Sequence, residues 1–155
     1  MIKAAIFDWG YTIHDHVKDV IYPDALTLIK ELKAKGIILI LISRAPDIQE
    51  RFKEFKKFNL ENYFQIMEVV PRETEKEFSK VLINAGVKPF ETLVIGDRVK
   101  SEILQGNKIG CVTVWIRQGK FAGEFATNKD EEPDYTIKKF GEISPILKKL
   151  VPAAS

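Results

Sequence analysis

This sequence of 155 residues contains one cysteine and two histidines, and it has almost no excess of charge of either sign. The single cysteine, Cys111, excludes an intrachain disulfide, and its position in the apolar run CVTVWI predicts a small buried core residue. The 24 basic and 22 acidic residues leave a formal net charge of +2. A balance this close does not favour nucleic acid or an anionic membrane as the main partner, so we expect no specific nucleic-acid binding.

Long hydrophobic runs are also missing. The longest one, GIILILI, is far shorter than the roughly 20 residues of a membrane-spanning helix. The N-terminus shows no basic segment followed by a long apolar stretch, so no signal peptide is evident. These absences predict a cytoplasmic protein without membrane contacts, and the length suits a single domain over residues 1–155.

Five short apolar runs rich in β-branched residues predict strands. Their apolarity is continuous, which is typical of strands buried on both faces of a parallel sheet. Helical patterns alternate with them and predict an α/β fold, a three-layer Rossmann-like parallel sheet of about five strands with helices on both faces. The predicted strands are Ile2–Phe7, Ile37–Ile42, Phe64–Val70, Thr92–Ile95 and Cys111–Ile116, with a short segment Asp134–Ile137; the predicted helices are Pro23–Lys35, Pro46–Phe58, Thr74–Ala85, Ser101–Ile109 and Glu142–Val151.

Acidic side chains follow two of the predicted strands. Asp8 ends the first strand and Asp97 the fourth, and Ser43 ends the second. Ligands of open parallel sheets bind beyond the carboxyl ends of the strands, so the two aspartates converge there if the first and fourth strands are neighbours. Adjacent carboxylates repel each other, and a hard divalent cation such as Mg²⁺ relieves the repulsion. Glu102, at the start of the next helix, is predicted to orient a metal-bound water.

These residue types at strand ends indicate phosphoryl-transfer chemistry. Asp8 is the candidate nucleophile, which would form an aspartyl-phosphate, and Ser43 is the candidate hydrogen-bond donor to a phosphoryl oxygen. A cation is needed to neutralise the developing charge, and the chain offers Arg72, just after the third strand, or Lys76 further on. The alternatives are that the aspartates only cap helices or turns, and that Ser43 caps the helix at Pro46.

The order of these motifs resembles the haloacid dehalogenase-like (HAD) phosphatase superfamily over nearly the whole chain. FDWGYT resembles its first motif, a strand followed by Asp-x-Asp-x-Thr; LILIS, with Arg44 next, resembles the second; GDRVKSE resembles the fourth, with Glu102 where aspartate is usual. Other segments resemble the magnesium-dependent phosphatase subfamily and small archaeal members. The resemblance implies Mg²⁺ bound by Asp8, Asp97 and the carbonyl of Gly10, and a phosphate bound by Ser43 and Arg44.

The third motif of the superfamily, a lysine before a helix, is poorly matched. Counting back from Phe78 favours Arg72 for this position, with Lys76 as the second choice.

Gly10 stands where most HAD phosphatases have a second aspartate, which protonates the leaving group. The loss of a general acid typically costs about 10²- to 10⁴-fold in rate. Two interpretations therefore stay open: a phosphatase that favours good leaving groups, or a catalytically weak domain that binds a phosphorylated ligand or a protein partner. His14 is the first candidate for a replacement proton donor, ahead of His16.

The predicted loops leave no room for a cap domain, because only 34 residues separate Asp8 from Ser43 and one helix uses many of them. We expect an open site covered at most by a flap, residues Trp9–Tyr22. Trp9 and Tyr11 either stack on a substrate at its entrance or pack the flap against the body. An open site suits a bulky or macromolecular phosphorylated substrate, or a homo-oligomer whose neighbouring subunit acts as the lid. A receiver-type signalling domain is disfavoured, since the third strand ends in VVPR without an acidic phospho-acceptor.

Overall fold

The structure, a computed structural model, describes residues 1–151. Its strands are β1 (Ala4–Phe7), β2 (His14–Asp15), β3 (Val20–Ile21), β4 (Ile38–Ala45), β5 (Ile66–Pro71), β6 (Thr92–Gly96), β7 (Val112–Ile116) and β8 (Tyr135–Ile137). Six of them form one parallel sheet in the order β5-β4-β1-β6-β7-β8, and β2 and β3 form a separate antiparallel hairpin. The predicted Rossmann-like sheet is confirmed, and the short segment near residue 135 adds a sixth strand at its edge.

The helices are α1 (Pro23–Ala34), α2 (Ile48–Lys57), α3 (Phe78–Ala85), α4 (Leu104–Ile109) and α5 (Ser144–Leu150). Four of them begin later than the sequence predicts, and the differences at α3 and α4 affect the acidic edge of the sheet. Helix α3 begins at Phe78 rather than Thr74, so the residues just before it are not helical. A wider π-helical turn, Val99–Ile103, precedes α4, where the sequence predicts an ordinary helix from Ser101. Both differences lie at the edge of the sheet where the acidic strand ends meet.

The core lies on both faces of the sheet because successive side chains of a strand point to opposite faces. On one face, Phe7, Leu41 and Ile95 pack in the cluster that contains the apolar residues of α1 and α5. On the other, Ile6 and Val94 pack with the apolar residues of α3. This two-sided burial explains the continuous apolar runs in the sequence. Cys111 is buried in the second cluster, as predicted.

The strand order creates a crevice beside β1. Strand β1 pairs with β4 on one side and with β6 on the other, so the order of the sheet reverses at this point. Such a switch point is where open parallel sheets bind ligands. Within residues 1–151, only the β2–β3 hairpin and α1 lie between β1 and β4, and α3 is the only α-helix between β5 and β6, so no cap domain is inserted at either place. Over the same residues, no helix is both long and apolar enough to cross a membrane.

Candidate active site

Three carboxylates meet at the carboxyl end of the central strands. Asp8 follows β1, Asp97 follows β6, and Glu102 lies in the π-helical turn. One carboxylate oxygen from each lies within 4.8 Å of the other two. Because β1 and β6 are hydrogen-bonded neighbours, the sheet order brings Asp8 and Asp97 together as the sequence analysis expects. Asp97 and Glu102 are buried, whereas Asp8 is partly exposed to the crevice.

Gly96 and Trp115 fix the position of the two buried carboxylates. A Cβ atom on Gly96 would lie 2.6 Å from the Cβ of Glu102, so only glycine lets the π-helical turn pack this closely against the end of β6. The indole Nε1 of Trp115 donates a 2.8 Å hydrogen bond to the backbone oxygen of Asp97. Close packing therefore requires the glycine at position 96, and the cluster of carboxylates requires the aspartate at position 97.

Lys76 is the cation beside the carboxylates. Its Nζ donates to Oδ1 of Asp8 at 2.5 Å and to Oε1 of Glu102 at 2.9 Å, and the residue is only 5% exposed. The sequence-based preference for Arg72 at this position is wrong. Because α3 begins at Phe78, Lys76 lies in the non-helical segment before it and reaches the cluster, while Arg72 lies exposed on the lining of the crevice.

The charges of this cluster do not balance. Burial, with Asp8 and Glu102 nearby, raises the pKa of Asp97 to about 10. Burial and Asp8 also raise the pKa of Glu102. Burial opposes the ionisation of Asp8, yet the attraction of Lys76 holds the pKa of Asp8 below its usual value. With Lys76 alone as counterion, Asp97 therefore keeps its proton at neutral pH, and full ionisation of the cluster needs a further cation.

The residues present fit a hard divalent ion. Oδ2 of Asp97 and Oε2 of Glu102 are buried and have no hydrogen-bond partner among the described residues. Such atoms are rare in native proteins and call for an explanation, of which a bound ion is one. Mg²⁺ prefers oxygen ligands and uses one or two carboxylates together with water and substrate phosphate, which matches this donor set.

The response of thermal stability to Mg²⁺ tests this fit. The pKa of Asp97 in the folded protein lies above its ordinary value of 3.8, so the unfolded chain releases this proton first. The free energy of unfolding of the metal-free protein should consequently fall as pH rises from about 4 toward 10, and Asp97→Asn should weaken that fall. We expect Mg²⁺ to raise the Tm of the wild type at about pH 8, measured against EDTA, because it replaces the missing charge.

Asp97→Asn should raise the Tm in EDTA and abolish the Mg²⁺ response, whereas the exposed Asp130→Asn should change neither. A Mg²⁺ response that survives in Asp97→Asn would contradict an ion at this cluster.

A cavity of about 510 Å³ opens in front of Asp8. Ser43 lies in its wall and is almost fully buried. A second cavity of about 520 Å³ lies along α3, but neither Asp8 nor Asp97 reaches it. Basic side chains dominate the lining of the first cavity, where we find His16, Arg44, Arg51, Arg72, Lys76, Arg98 and Lys120. An anionic ligand is therefore the natural occupant of this cavity.

Ser43 does not cap helix α2. The N-cap of that helix is Asp47, whose carboxylate accepts a 3.1 Å hydrogen bond from the backbone of Glu50. The hydroxyl oxygen of Ser43 instead accepts a hydrogen bond from Nη1 of Arg51, which also donates to the backbone oxygen of Arg44 at 3.2 Å. The hydroxyl of Ser43 donates only a long 3.5 Å hydrogen bond to the backbone oxygen of Arg44, so a closer acceptor in the cavity would compete for its proton.

Sequence reasoning missed Arg51. The segment RFKEFKKF reads as an apolar stripe with a solvated basic face, and Phe55 is indeed buried. Arg51, one turn earlier on the same side of α2, extends along the end of β4 into the cavity. The i, i+4 spacing from Phe55 indicates that Arg51 lies on the buried side of the helix. The spacing does not indicate that this side of the helix faces the cavity.

Trp9 does not lie at the entrance of the cavity. It is fully buried, stacks on His14 with ring centroids 4.6 Å apart, and meets the ring of Phe55 edge-on at 5.0 Å. The entrance prediction for Trp9 is wrong, because its indole finds apolar partners under the flap and packs the flap against the body. Tyr11 does line the cavity, and its backbone oxygen accepts a 2.7 Å hydrogen bond from Gln118.

The two histidines of the flap have different surroundings. His14 is buried beneath the flap, whereas His16 is exposed on its cavity side. Partial burial, together with His14 and Arg51, lowers the pKa of His16, against the opposite effects of Glu54 and Asp8. The sequence put His14 ahead of His16 as a candidate proton donor, whereas in the structure it is His16 that lines the cavity.

The chain is similar to known hydrolases of one family. Residues 67–143 match the family described as HAD-hydrolase-like. Glyceraldehyde 3-phosphate phosphatase of Methanopyrus kandleri is 29% identical over 157 residues, which cover 97% of this chain and 65% of that protein. Human magnesium-dependent phosphatase 1 is 24% identical over 140 residues, which cover 76% of this chain and 79% of that protein. The chain belongs to the haloacid dehalogenase-like superfamily.

Solved structures show that the similarity extends to the fold of this chain. The HAD phosphatase from Thermococcus onnurineus superposes with a TM-score of 0.65 at 25% identity, covering 83% of this chain and 58% of that one. The HAD-like chain spans 65% of the length of the Methanopyrus relative, just under two thirds.

Proposed function

We propose that this chain is a single HAD-like hydrolase domain that acts as a Mg²⁺-dependent phosphatase on phosphoric monoesters. The observation that carries this proposal is the position of Asp8 at the floor of a basic cavity, with Lys76 at 2.5 Å and two further carboxylates beside it. The names of the relatives, which are phosphatases, support the same reaction class.

Asp8 is the nucleophile in this proposal. Lys76 keeps its carboxylate ionised and fixes its orientation, so that it attacks phosphorus and forms an aspartyl-phosphate. Lys76 lies before helix α3, where the superfamily resemblance requires a lysine. Because it also binds Glu102, the lysine stays in place when Asp8 loses its negative charge on bonding to phosphorus and that charge passes to the leaving oxygen.

The phosphoryl oxygens bind in the basic part of the cavity. The Ser43 hydroxyl accepts a hydrogen bond from Arg51, and its own proton, held only by a 3.5 Å hydrogen bond to the backbone oxygen of Arg44, would donate to a phosphoryl oxygen instead. Arg44 lines the same wall and donates to Ser101 at 3.2 Å. Donors fixed in this way stabilise the charge of the transition state without having to reorganise.

A Mg²⁺ ion would be held by Asp8, Asp97 and the backbone oxygen of Gly10, with Glu102 supporting a bound water. When bound, it would supply the positive charge that offsets the phosphoryl oxygens. The raised pKa of Asp97 and the unpartnered oxygens of Asp97 and Glu102 support this assignment.

The substrate is a phosphorylated compound that tolerates an open site. Exposed Arg72 and Lys120 on the cavity lining favour an anionic molecule. Glyceraldehyde 3-phosphate is the first compound to assay, because the Methanopyrus relative is named as a phosphatase of that compound. Because no cap covers the cavity within the described residues, a bulky or macromolecular substrate, or a second subunit acting as a lid, stays part of the proposal.

The test is hydrolysis of para-nitrophenyl phosphate, glyceraldehyde 3-phosphate and a panel of phosphorylated metabolites in Mg²⁺ and in EDTA. Acid quenching during turnover, followed by borohydride reduction, should convert the aspartyl-phosphate to homoserine at position 8, which peptide mass analysis detects. Phosphate release that is independent of Mg²⁺, or reduction at another residue, would contradict the mechanism.

The second candidate function is a binding domain with little turnover, which the missing carboxylate at Gly10 favours. Tight binding of phosphorylated ligands without turnover of any substrate in the panel would support it.

A further inference from the structure

The place of the missing side chain at Gly10 is filled by another residue. A Cβ atom added to Gly10 would lie 2.6 Å from Nε2 of His16 and 3.3 Å from its Cε1. The backbone of Gly10 does not have the positive φ that would itself demand glycine. The imidazole of His16 thus occupies the space that a side chain at position 10 would enter, so the imidazole has to shift if both side chains are present.

The His16 ring is held by a chain of polar contacts inside the flap. Its Nδ1 lies 2.5 Å from Nδ1 of His14, and Nε2 of His14 lies 2.8 Å from Oδ1 of Asp19. Asp19 in turn binds Lys57 at 2.7 Å, and the buried His14 ring stacks on Trp9. This chain ties the orientation of an exposed ring to the core of the protein.

The same contacts decide which nitrogen of His16 remains free. A carboxylate can only accept hydrogen bonds, so His14 presents Nε2–H to Asp19 and, when neutral, has a lone pair on Nδ1. That lone pair accepts the Nδ1–H of His16. The Nε2 of His16 is bound by neither His14 nor Asp19. It points into the space that a side chain at Gly10 would enter, in the cavity that contains Asp8.

We propose that His16 is the catalytic acid and base of this site and replaces the carboxylate that Gly10 lacks, an inference that rests on the phosphatase function proposed above. In the first step, an oxygen of Asp8 bonds to phosphorus while the bond from phosphorus to the leaving oxygen breaks. The Nε2–H of the His16 imidazolium passes its proton to that oxygen, and the product alcohol leaves.

The second step returns His16 to its starting state. Water attacks the phosphorus of the aspartyl-phosphate, the bond from phosphorus to the Asp8 oxygen breaks, and the neutral Nε2 of His16 takes the proton that water loses. Inorganic phosphate leaves, the Asp8 carboxylate is regenerated, and His16 is again an imidazolium. His14 and Asp19 act as positioning residues, since they touch His16 and not the substrate.

The dependence of the rate on the leaving group tests this role. A proton donor matters most when the leaving oxygen is strongly basic. We expect His16→Asn to lower kcat/KM for alkyl phosphates by about 10²- to 10⁴-fold. Its effect on 2,4-dinitrophenyl phosphate should be less than about tenfold, because that leaving group needs no proton. Lys18→Ala, an exposed change in the same flap, is the matched control and should leave both rates unchanged.

Equal losses over the whole series of leaving groups would overturn the role of His16, and so would unchanged rates. These results are distinct from a failure of the phosphatase proposal itself, in which the wild type would not hydrolyse even the dinitrophenyl ester in an Asp8- and Mg²⁺-dependent way. The Mg²⁺-dependent rise in Tm, measured on His16→Asn, reports whether the cluster of carboxylates is still formed.

A double variant tests the exchange of the two side chains. Gly10→Asp alone should impair the enzyme, because the new side chain displaces the His16 imidazole from its place in the cavity. Gly10→Asp combined with His16→Gly should regain at least about tenfold of the activity on alkyl phosphates that His16→Gly loses, since the carboxyl group then occupies the vacated place. A double variant with the Tm of the wild type but no gain over His16→Gly would contradict the exchange.

Discussion

Replacing Asp8 by asparagine is expected to lower kcat/KM for para-nitrophenyl phosphate by a factor on the order of 10⁴ to 10⁶, the scale of loss when one member of a nucleophilic catalytic group is removed. Asparagine has almost the same size, and its amide oxygen can still accept from Lys76, so the fold should persist. What disappears is the anionic oxygen that would bond to phosphorus.

The measurement is steady-state hydrolysis at saturating Mg²⁺, with thermal unfolding of the same samples as the folding control. Asp24→Asn, an exposed aspartate in the first turn of α1, is the matched variant and should keep full activity. If Asp8→Asn retains more than about one hundredth of the wild-type rate, the nucleophile lies elsewhere, because no residual mechanism of this site should reach that level.

The second large effect is expected from Lys76→Met, which keeps the length of the side chain and removes its charge. In the wild type, the ammonium group of Lys76 contacts Asp8 and Glu102, and the lysine side chain is 3% exposed. Breaking a buried ion pair by removing one partner typically costs about 3–5 kcal/mol, because the remaining charge is left without compensation. We therefore expect the free energy of unfolding in EDTA to fall by about this amount.

Mg²⁺ should restore part of the stability of Lys76→Met, since it supplies positive charge to the same cluster, but it should not restore turnover. Chemical denaturation with and without Mg²⁺ measures the first effect, and the phosphatase assay measures the second. The matched variant is Arg72→Met. Because Arg72 is exposed, its loss should change stability by less than about 0.5 kcal/mol and should mainly raise KM. Equal effects of the two variants would contradict the assignment of Lys76 as the cation of the cluster.

Some features of the site could be read from the chain because they depend on local pattern. The continuous apolar runs indicated buried parallel strands, and the acidic or hydroxyl residue that ends three of them identified the edge at which Asp8, Ser43 and Asp97 gather. Two glycines have equally local reasons. Gly96 permits the close approach of Glu102, and Gly110 ends helix α4 in the left-handed region.

Other features were misjudged because they depend on which side chains meet in space. Spacing along the chain favoured Arg72, but the late start of α3 places Lys76 in the cluster instead. Trp9 follows the candidate nucleophile directly, yet the apolar surface of α2 draws it into the core. No sequence signal joined Gly10 to His16 across the flap.

The amino-acid sequence by itself determined the parallel sheet, the order of the motifs and an aspartate at the end of two strands. These follow from the burial and geometry of single strands, which residue types along the chain report directly. Only the tertiary structure decided which cation contacts Asp8, that Arg51 supports Ser43, and that an imidazole takes the place of the side chain at Gly10. Each of those outcomes depends on contacts between segments that lie far apart in the chain or are linked by a turn, and no local pattern specifies such contacts.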